Sequence, residues 1–338
     1  MRSSLLKLAI LGTLGFVSSQ AFALGLEPLA AAPTGSAYIN CYNKNRVTPS
    51  GGVADNVKGN FGSYPIPGAN LPSTTVNNTC FIAKPASELT SPKTGYTIAG
   101  SRTVTIPTTT GGTGNIGSLV DYVWRKPAAT APATPTDMCI FGARATMISA
   151  DHDSVTAGTQ FFEINDIARG GYSASGSVNV GYTLFSTTGN TSPLYRVGRT
   201  FTSVQHRALK YDTNANKELN GTGYLDLPTI GGLTTLNING VNSTIGSTAA
   251  ASVSPTTLQD AQVNSNWVDF TADTVFADDD GSTNALSGFT YIEAACNSTA
   301  VSGWIKTGAI RLRQTAQENA TFKEIAIDGY APPGATVP

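Results

Sequence analysis

Apolar and polar residues alternate with a period of two along several stretches of the chain. In residues 177–185, Val178, Val180, Tyr182 and Leu184 fall on one face. In residues 194–205, Tyr195, Val197 and Phe201 share one face, while Arg196, Thr200 and Thr202 take the other. In residues 309–315, Ile310 and Leu312 alternate with Arg311 and Arg313. Successive side chains of a strand point to opposite faces, so this spacing predicts half-buried strands with one face in a core and one in water. Runs rich in β-branched and aromatic residues predict further strands at 38–42, 79–83, 102–106, 119–125, 138–148, 160–164, 233–241, 266–271, 288–296 and 322–327. Clusters of Gly, Asn, Asp and Pro separate them, as turns require.

Helical spacing is scarce. It predicts one short helix over 255–263, with Ser254 as N-cap and Pro255 at the first helical position, and suggests a second over 163–169. A dozen or more strands with very little helix give the expected fold: all-β, an antiparallel β-sandwich whose jelly-roll-like or immunoglobulin-like strand order the alternation leaves open. No repeat of fixed period is present. Residues 43–78 read as irregular loop. Residues 126–137, KPAATAPATPTD, read either as an extended linker or as a long hairpin loop between two strands, and the hairpin is preferred. The expected organisation is a leader at 1–23, an irregular and β portion at 24–137 ending in that Pro/Ala/Thr-rich loop, and a main β-sandwich region at 138–338. Residues 24–338 also admit a single domain.

The leader fixes the compartment. Arg2 and Lys7 give a cationic start, residues 8–17 form an apolar run too short to span a bilayer, and Ala21-Phe22-Ala23 is a small-x-small cleavage site. These are the three parts of a secretory signal, and they predict a bacterial protein exported to the periplasm, the cell surface or the medium. The mature chain holds no second apolar stretch of membrane-spanning length. Four cysteines, Cys41, Cys80, Cys139 and Cys296, are an even set in an exported chain, which favours disulfides. The preferred pairing is Cys41–Cys80, pinning the irregular N-terminal portion, with Cys139–Cys296 joining an early strand to a late one.

Composition narrows the function. Of 338 residues, 40% are hydrophobic and 13% charged, with 21 basic against 22 acidic side chains. Disorder needs low hydrophobicity with high net charge, so it is excluded. The basic excess of a nucleic-acid binder is missing, so no nucleic-acid partner is expected.

Candidate chemistry is sparse. Asp278, Asp279 and Asp280, followed by Gly281 and Ser282, crowd three carboxylates that need either solvent or a cation, and the cation such oxygens suit is Ca²⁺. A solvated turn explains the same run. Residues 212–220 place oxygen side chains at Asp212, Asn214 and Asn216 like a calcium loop. However, Lys217 stands where the turn glycine belongs and Gly223 where the bidentate acid belongs. Asp151-His152-Asp153 reads as a turn. His152 and His206 are the only histidines, and no Gly-x-Ser-x-Gly elbow is present. Carboxylates for glycoside hydrolysis include Glu163, Asp166, Asp226, Asp269 and Glu293, unranked. Trp267 shares a face with Asp269, opposite Val268 and Phe270. If those two enter the core, Trp267 is at the surface as a ligand-stacking aromatic. The resulting expectation is a non-enzymatic extracellular or cell-surface protein with a structural, adhesive or matrix role, with self-assembly or surface glycans as partners. A calcium-dependent glycan-binding module is the alternative, and a secreted glycosidase-type hydrolase with a carboxylate pair the second alternative.

Overall fold

Thr, Val and Ile fill the strand segments, and their branched Cβ atoms suit a pleated, half-buried surface. In the computed structural model they build two six-stranded antiparallel sheets. The structure describes residues 26–33, 38–40, 80, 82, 85–128, 136–183, 196–201, 211–212, 217–218, 264–278, 283–315 and 322–338. The strands, in chain order, are β1 (Glu27–Leu29), β2 (Tyr38–Asn40), β3 (Thr97–Pro107), β4 (Asn115–Lys126), β5 (Asp137–Met147), β6 (Ile164–Gly170) and β7 (Val178–Thr183). They continue with β8 (Arg196–Gly198), β9 (Tyr211–Asp212), β10 (Lys217–Glu218), β11 (Trp267–Thr274), β12 (Phe289–Cys296), β13 (Ile305–Thr315) and β14 (Phe322–Tyr330). The first sheet, A, runs β1-β7-β12-β5-β4-β3, and the second, B, runs β14-β13-β6-β11-β8-β2. β9 and β10 form a separate small ladder.

The inner faces of the two sheets meet in one core. Leu119 and Val123 of β4, Phe141 and Ala143 of β5, and Val178, Val180 and Tyr182 of β7 pack toward Ile167 of β6, Val268 and Phe270 of β11, and Ile310 and Leu312 of β13. Each of the Val, Leu, Ile and Phe side chains contributes about 1.5–3 kcal/mol by leaving water. Val178, Val180 and Tyr182, and Ile310 and Leu312, thus face the core as the alternation predicted, but the opposite faces are partly buried, with Thr183 and Arg313 covered, and Leu184 lies outside the described residues. The 126–137 stretch joins paired strands, since Lys126 of β4 lies opposite Met138 of β5. Cys139 and Cys296 are bonded with Cα atoms 5.7 Å apart, and they lie on neighbouring strands β5 and β12. Cys80 is also disulfide-bonded. Cys41, the strand expected at 233–241 and the helix expected at 255–263 lie outside the described residues.

Three expectations are corrected. Residues 163–169 are not helical, because Ile164–Gly170 is a central strand of sheet B. All seven of its residues are buried, and polar side chains stand on both faces, Arg169 inside and Asp166 outside, so no period of two shows. Residues 160–163 accordingly precede this strand rather than forming one of their own. Phe201 is not on the core face with Val197. The chain leaves β8 at Gly198, and Phe201 packs on the opposite side of sheet B against Trp267.

Candidate functional site

Among the described residues, buried charges gather in three places, while Arg199, Asp153 and Glu163 are buried elsewhere. The first lies between the sheets. Asp121 occupies the inner face of β4 between Leu119 and Val123, and it has no exposed surface. Arg169, on the inner face of β6, donates from Nη2 to Asp121 Oδ1 at 2.9 Å and to the Tyr330 carbonyl at 2.9 Å. The Tyr330 amide donates to Asp121 Oδ2 at 2.7 Å. One carboxylate thus ties β4 of sheet A to β6 and β14 of sheet B. Burial pushes the Asp121 carboxyl above its ordinary range, against the pull of Arg169 and the Tyr330 amide.

The second lies on the outer face of sheet A, where Trp124, Ile140, Phe289 and Tyr291 form a small satellite core with Ile82 and Tyr96. Gly142 sits beneath it, and a Cβ there would lie 2.6 Å from both Trp124 and Phe289. The segment 85–96 crosses this face. Trp124 Nε1 donates to the Leu89 carbonyl at 2.8 Å, and Arg144 meets Glu88 at 2.8 Å. Glu293, on β12, closes the clasp: it accepts from Lys93 Nζ at 2.7 Å, from Asn179 Nδ2 at 2.7 Å and from the Tyr96 hydroxyl. Burial alone would raise this carboxyl, but the bonds from Lys93, Tyr96 and Asn179 hold it below its ordinary value.

The third lies on the outer face of sheet B. Cross-strand register aligns Thr271, Asp166, Arg313 and Glu324 in one row, and Asp269, Ala168 and Arg311 in the next. Arg313 donates from Nε to Glu324 at 2.9 Å and lies 3.9 Å from Asp166. Burial alone would lower its guanidinium, but Asp166, Asp269 and Glu324 push it above its ordinary value. The Phe201 ring stacks 3.8 Å from the Arg313 guanidinium and 4.4 Å from the Trp267 ring, and Arg311 lies 5.8 Å from that indole. The indole spreads across Gly170, where a Cβ would approach to 3.0 Å.

Trp267 is thus opposite Val268 and Phe270, as the alternation requires, but it is 2% exposed. Its expected exposure is not found, because Phe201 and Arg311 cover it. Asp278 follows β11 and is half-buried, while Asp279 and Asp280 lie outside the described residues. Among the described residues, no three His, Cys, Asp or Glu side chains gather as a metal-binding group. Asp212 and Lys217 pair across the β9–β10 ladder. Asp151 Oδ1 accepts from the amides of Asp153 and Gln160, making 151–160 a self-bonded turn. His152 is buried within it. Its Nδ1 lies 2.6 Å from Thr109 Oγ1, and burial holds the imidazole below its ordinary value. His206 and Asp226 lie outside the described residues. Of the remaining carboxylates, Glu163 is buried at the start of β6 and accepts from Asn165 Nδ2.

Chemically these groups are suited to holding strands together. Glu293 stays ionised at neutral pH, so it is a poor proton donor. Asp166 and Asp269 share a face and a cation but have no exposed surface. Comparison with protein-family models, with curated proteins and with solved structures finds no match for this chain.

Proposed function

We propose that this is an exported, non-enzymatic protein of the cell surface or extracellular matrix with a structural or adhesive role. The observation that carries the reading is the use made of its buried carboxylates. Asp121 bonds Arg169 across the sheets, Glu293 bonds Lys93 over the outer face of sheet A, and Asp166 faces Arg313 on sheet B. A hydrolase of the glycosidase type needs two carboxylates open to a sugar and to water. These side chains instead brace a sandwich in which a disulfide joins two neighbouring strands of sheet A, which suits a protein that must persist in an oxidising, protease-rich space. The expected secretory leader and the chain's abundance of Thr, Ser, Gly and Asn point the same way. Breaking open native cells and sizing the protein, with and without a chelator, tests the reading. Recovery in large assemblies or bound to the surface supports it. Release of that material by chelator adds Asp278, Asp279 and Asp280 as a calcium-held joint. A free monomer in periplasm or medium overturns it.

A further inference from the structure

The two strands at one side of the sandwich differ in how they end their sheets. β14, the terminal strand of sheet B, carries Lys323, Glu324 and Asp328. Charges of this kind discourage another chain from adding to an edge. β3, the terminal strand of sheet A, is eleven residues long, and its one charged side chain is Arg102. Arg102 is on the inner face and lies 6.0 Å from the Tyr330 ring. Among the described residues β3 pairs with β4 alone. Its outer-face row, Ser101, Thr103 and Thr105, is exposed. Irregularities between Ile98 and Gly100 and between Ile106 and Pro107 bracket a regular stretch from Gly100 to Ile106. The midpoint of that stretch is Thr103.

We propose that β3 is the joint through which a second copy of this chain is added, antiparallel, with a two-fold axis at Thr103. The inference supplies the partner for the surface role above and rests on that role only for its biological meaning. The register follows from self-complementarity, which a two-fold contact demands. Pairing about Thr103 uses the whole regular stretch, placing Gly100 opposite the partner's Ile106. On the outer face Thr103 meets its own copy and Ser101 meets the partner's Thr105, pairs whose hydroxyls can bond across strands. On the inner face Arg102 meets the partner's Val104. The two arginines are therefore not opposed, and like charges directly opposite would weaken the pair. The irregularity and Pro107 at one end, with the second irregularity at the other, stop the ladder from extending, so the joint closes as a dimer and does not slip along the strand.

The register makes the test specific. Opposed residues of an antiparallel pair have Cα atoms about 4.5–5.5 Å apart, within disulfide reach, whereas a four-residue offset is about 13 Å. Purified full chain is sized by sedimentation across the micromolar range. Thr103→Cys and Ser101→Cys are then oxidised in parallel. Cys80, Cys139 and Cys296 are already disulfide-bonded and do not compete. The expected result is a concentration-dependent dimer, a covalent dimer from Thr103→Cys, and none from Ser101→Cys. Thr103→Lys, which opposes two ammonium groups on an exposed face, weakens self-association about fivefold or more. A monomeric parent chain, no cross-link at Thr103→Cys, or equal cross-linking of both cysteine variants overturns the joint. A monomer in solution that is nevertheless surface-bound in cells removes the joint and leaves the surface role. A dimer found free in the periplasm keeps the joint and removes the surface role.

Discussion

Replacing Asp121 separates two accounts of what holds the sheets together. In one, the apolar core does the work and the Asp121–Arg169 pair is incidental. In the other, the pair is a tie whose breakage leaves a charge stranded in the core. The geometry favours the second. Both Asp121 oxygens accept bonds, and Asp121 and Arg169 are 0% and 1% exposed. Removing one partner of such a buried pair costs about 3–5 kcal/mol, mostly the desolvation of the charge left behind. Asp121→Asn keeps the shape, so no cavity contributes, and the loss falls in that range. For a domain of this size it lowers Tm by roughly 2–4 °C per kcal/mol. Arg169→Met produces a similar loss. The double variant Asp121→Leu/Arg169→Met is not the sum. With neither charge of the pair present, what remains is the Tyr330 amide without its acceptor and the Tyr330 carbonyl without its donor, about 1–3 kcal/mol each. Urea unfolding, followed by the fluorescence of Trp124, Trp267 and Trp304, all buried, measures each variant. A double variant as poor as the two singles added together, or an Asp121→Asn loss under about 1 kcal/mol, refutes the reasoning.

The Glu293 clasp titrates in a definite direction. Because Glu293 is held below its ordinary value, its contribution is complete above the unfolded carboxyl value of about 4.3 and is lost as pH falls through the lower folded value. Glu293→Gln should cost about 1–2 kcal/mol at neutral pH, and the gap to the parent should close in acid. A gap that widens in acid contradicts this. Asp121, raised by burial, contributes the opposite slope, with stability falling as pH rises between its unfolded and folded values, so the parent–variant difference is the quantity to follow. Replacing Cys139 and Cys296 together by Ala frees a loop of 157 residues and should lower stability by about 3–5 kcal/mol in denaturant. An unchanged midpoint would show that the unfolded chain gains nothing from that release.

Much of the fold was legible where one sheet face is wetter than the other. β7 and β13 announce themselves because Val180 and Leu312 alternate with less apolar neighbours. β6 does not, since burial on both sides erases the contrast, and Ile164 and Ile167 then mimic a helical spacing. Alternation also reports sides and not cover. It put Trp267 and Arg313 correctly opposite the core but could not show that Phe201 folds back over them. Glu293 stood among the sequence candidates, yet its partners Lys93 and Asn179 lie far off in the chain, so only folding reveals the clasp. Asp121 did leave a sign that was missed. In Leu119-Val120-Asp121-Tyr122-Val123 it falls in phase with the two residues that enter the core, and a carboxylate in that position requires a cation across from it.

The Cys139–Cys296 bond also orders events in time. Chains emerge from the N-terminus, so β3, β4 and β5 are available as a three-stranded meander long before β12 exists. Until then β5 has an open flank where β12 will insert, and Cys139 has only the earlier thiols, Cys41 and Cys80, within the same chain. Early oxidation would capture Cys139 with a wrong partner and block the central position of sheet A. Correct pairing calls for β12 beside β5, with β13 and β14 of sheet B still to follow, so the bond seals sheet A and its absence marks chains whose sheet A is unfinished.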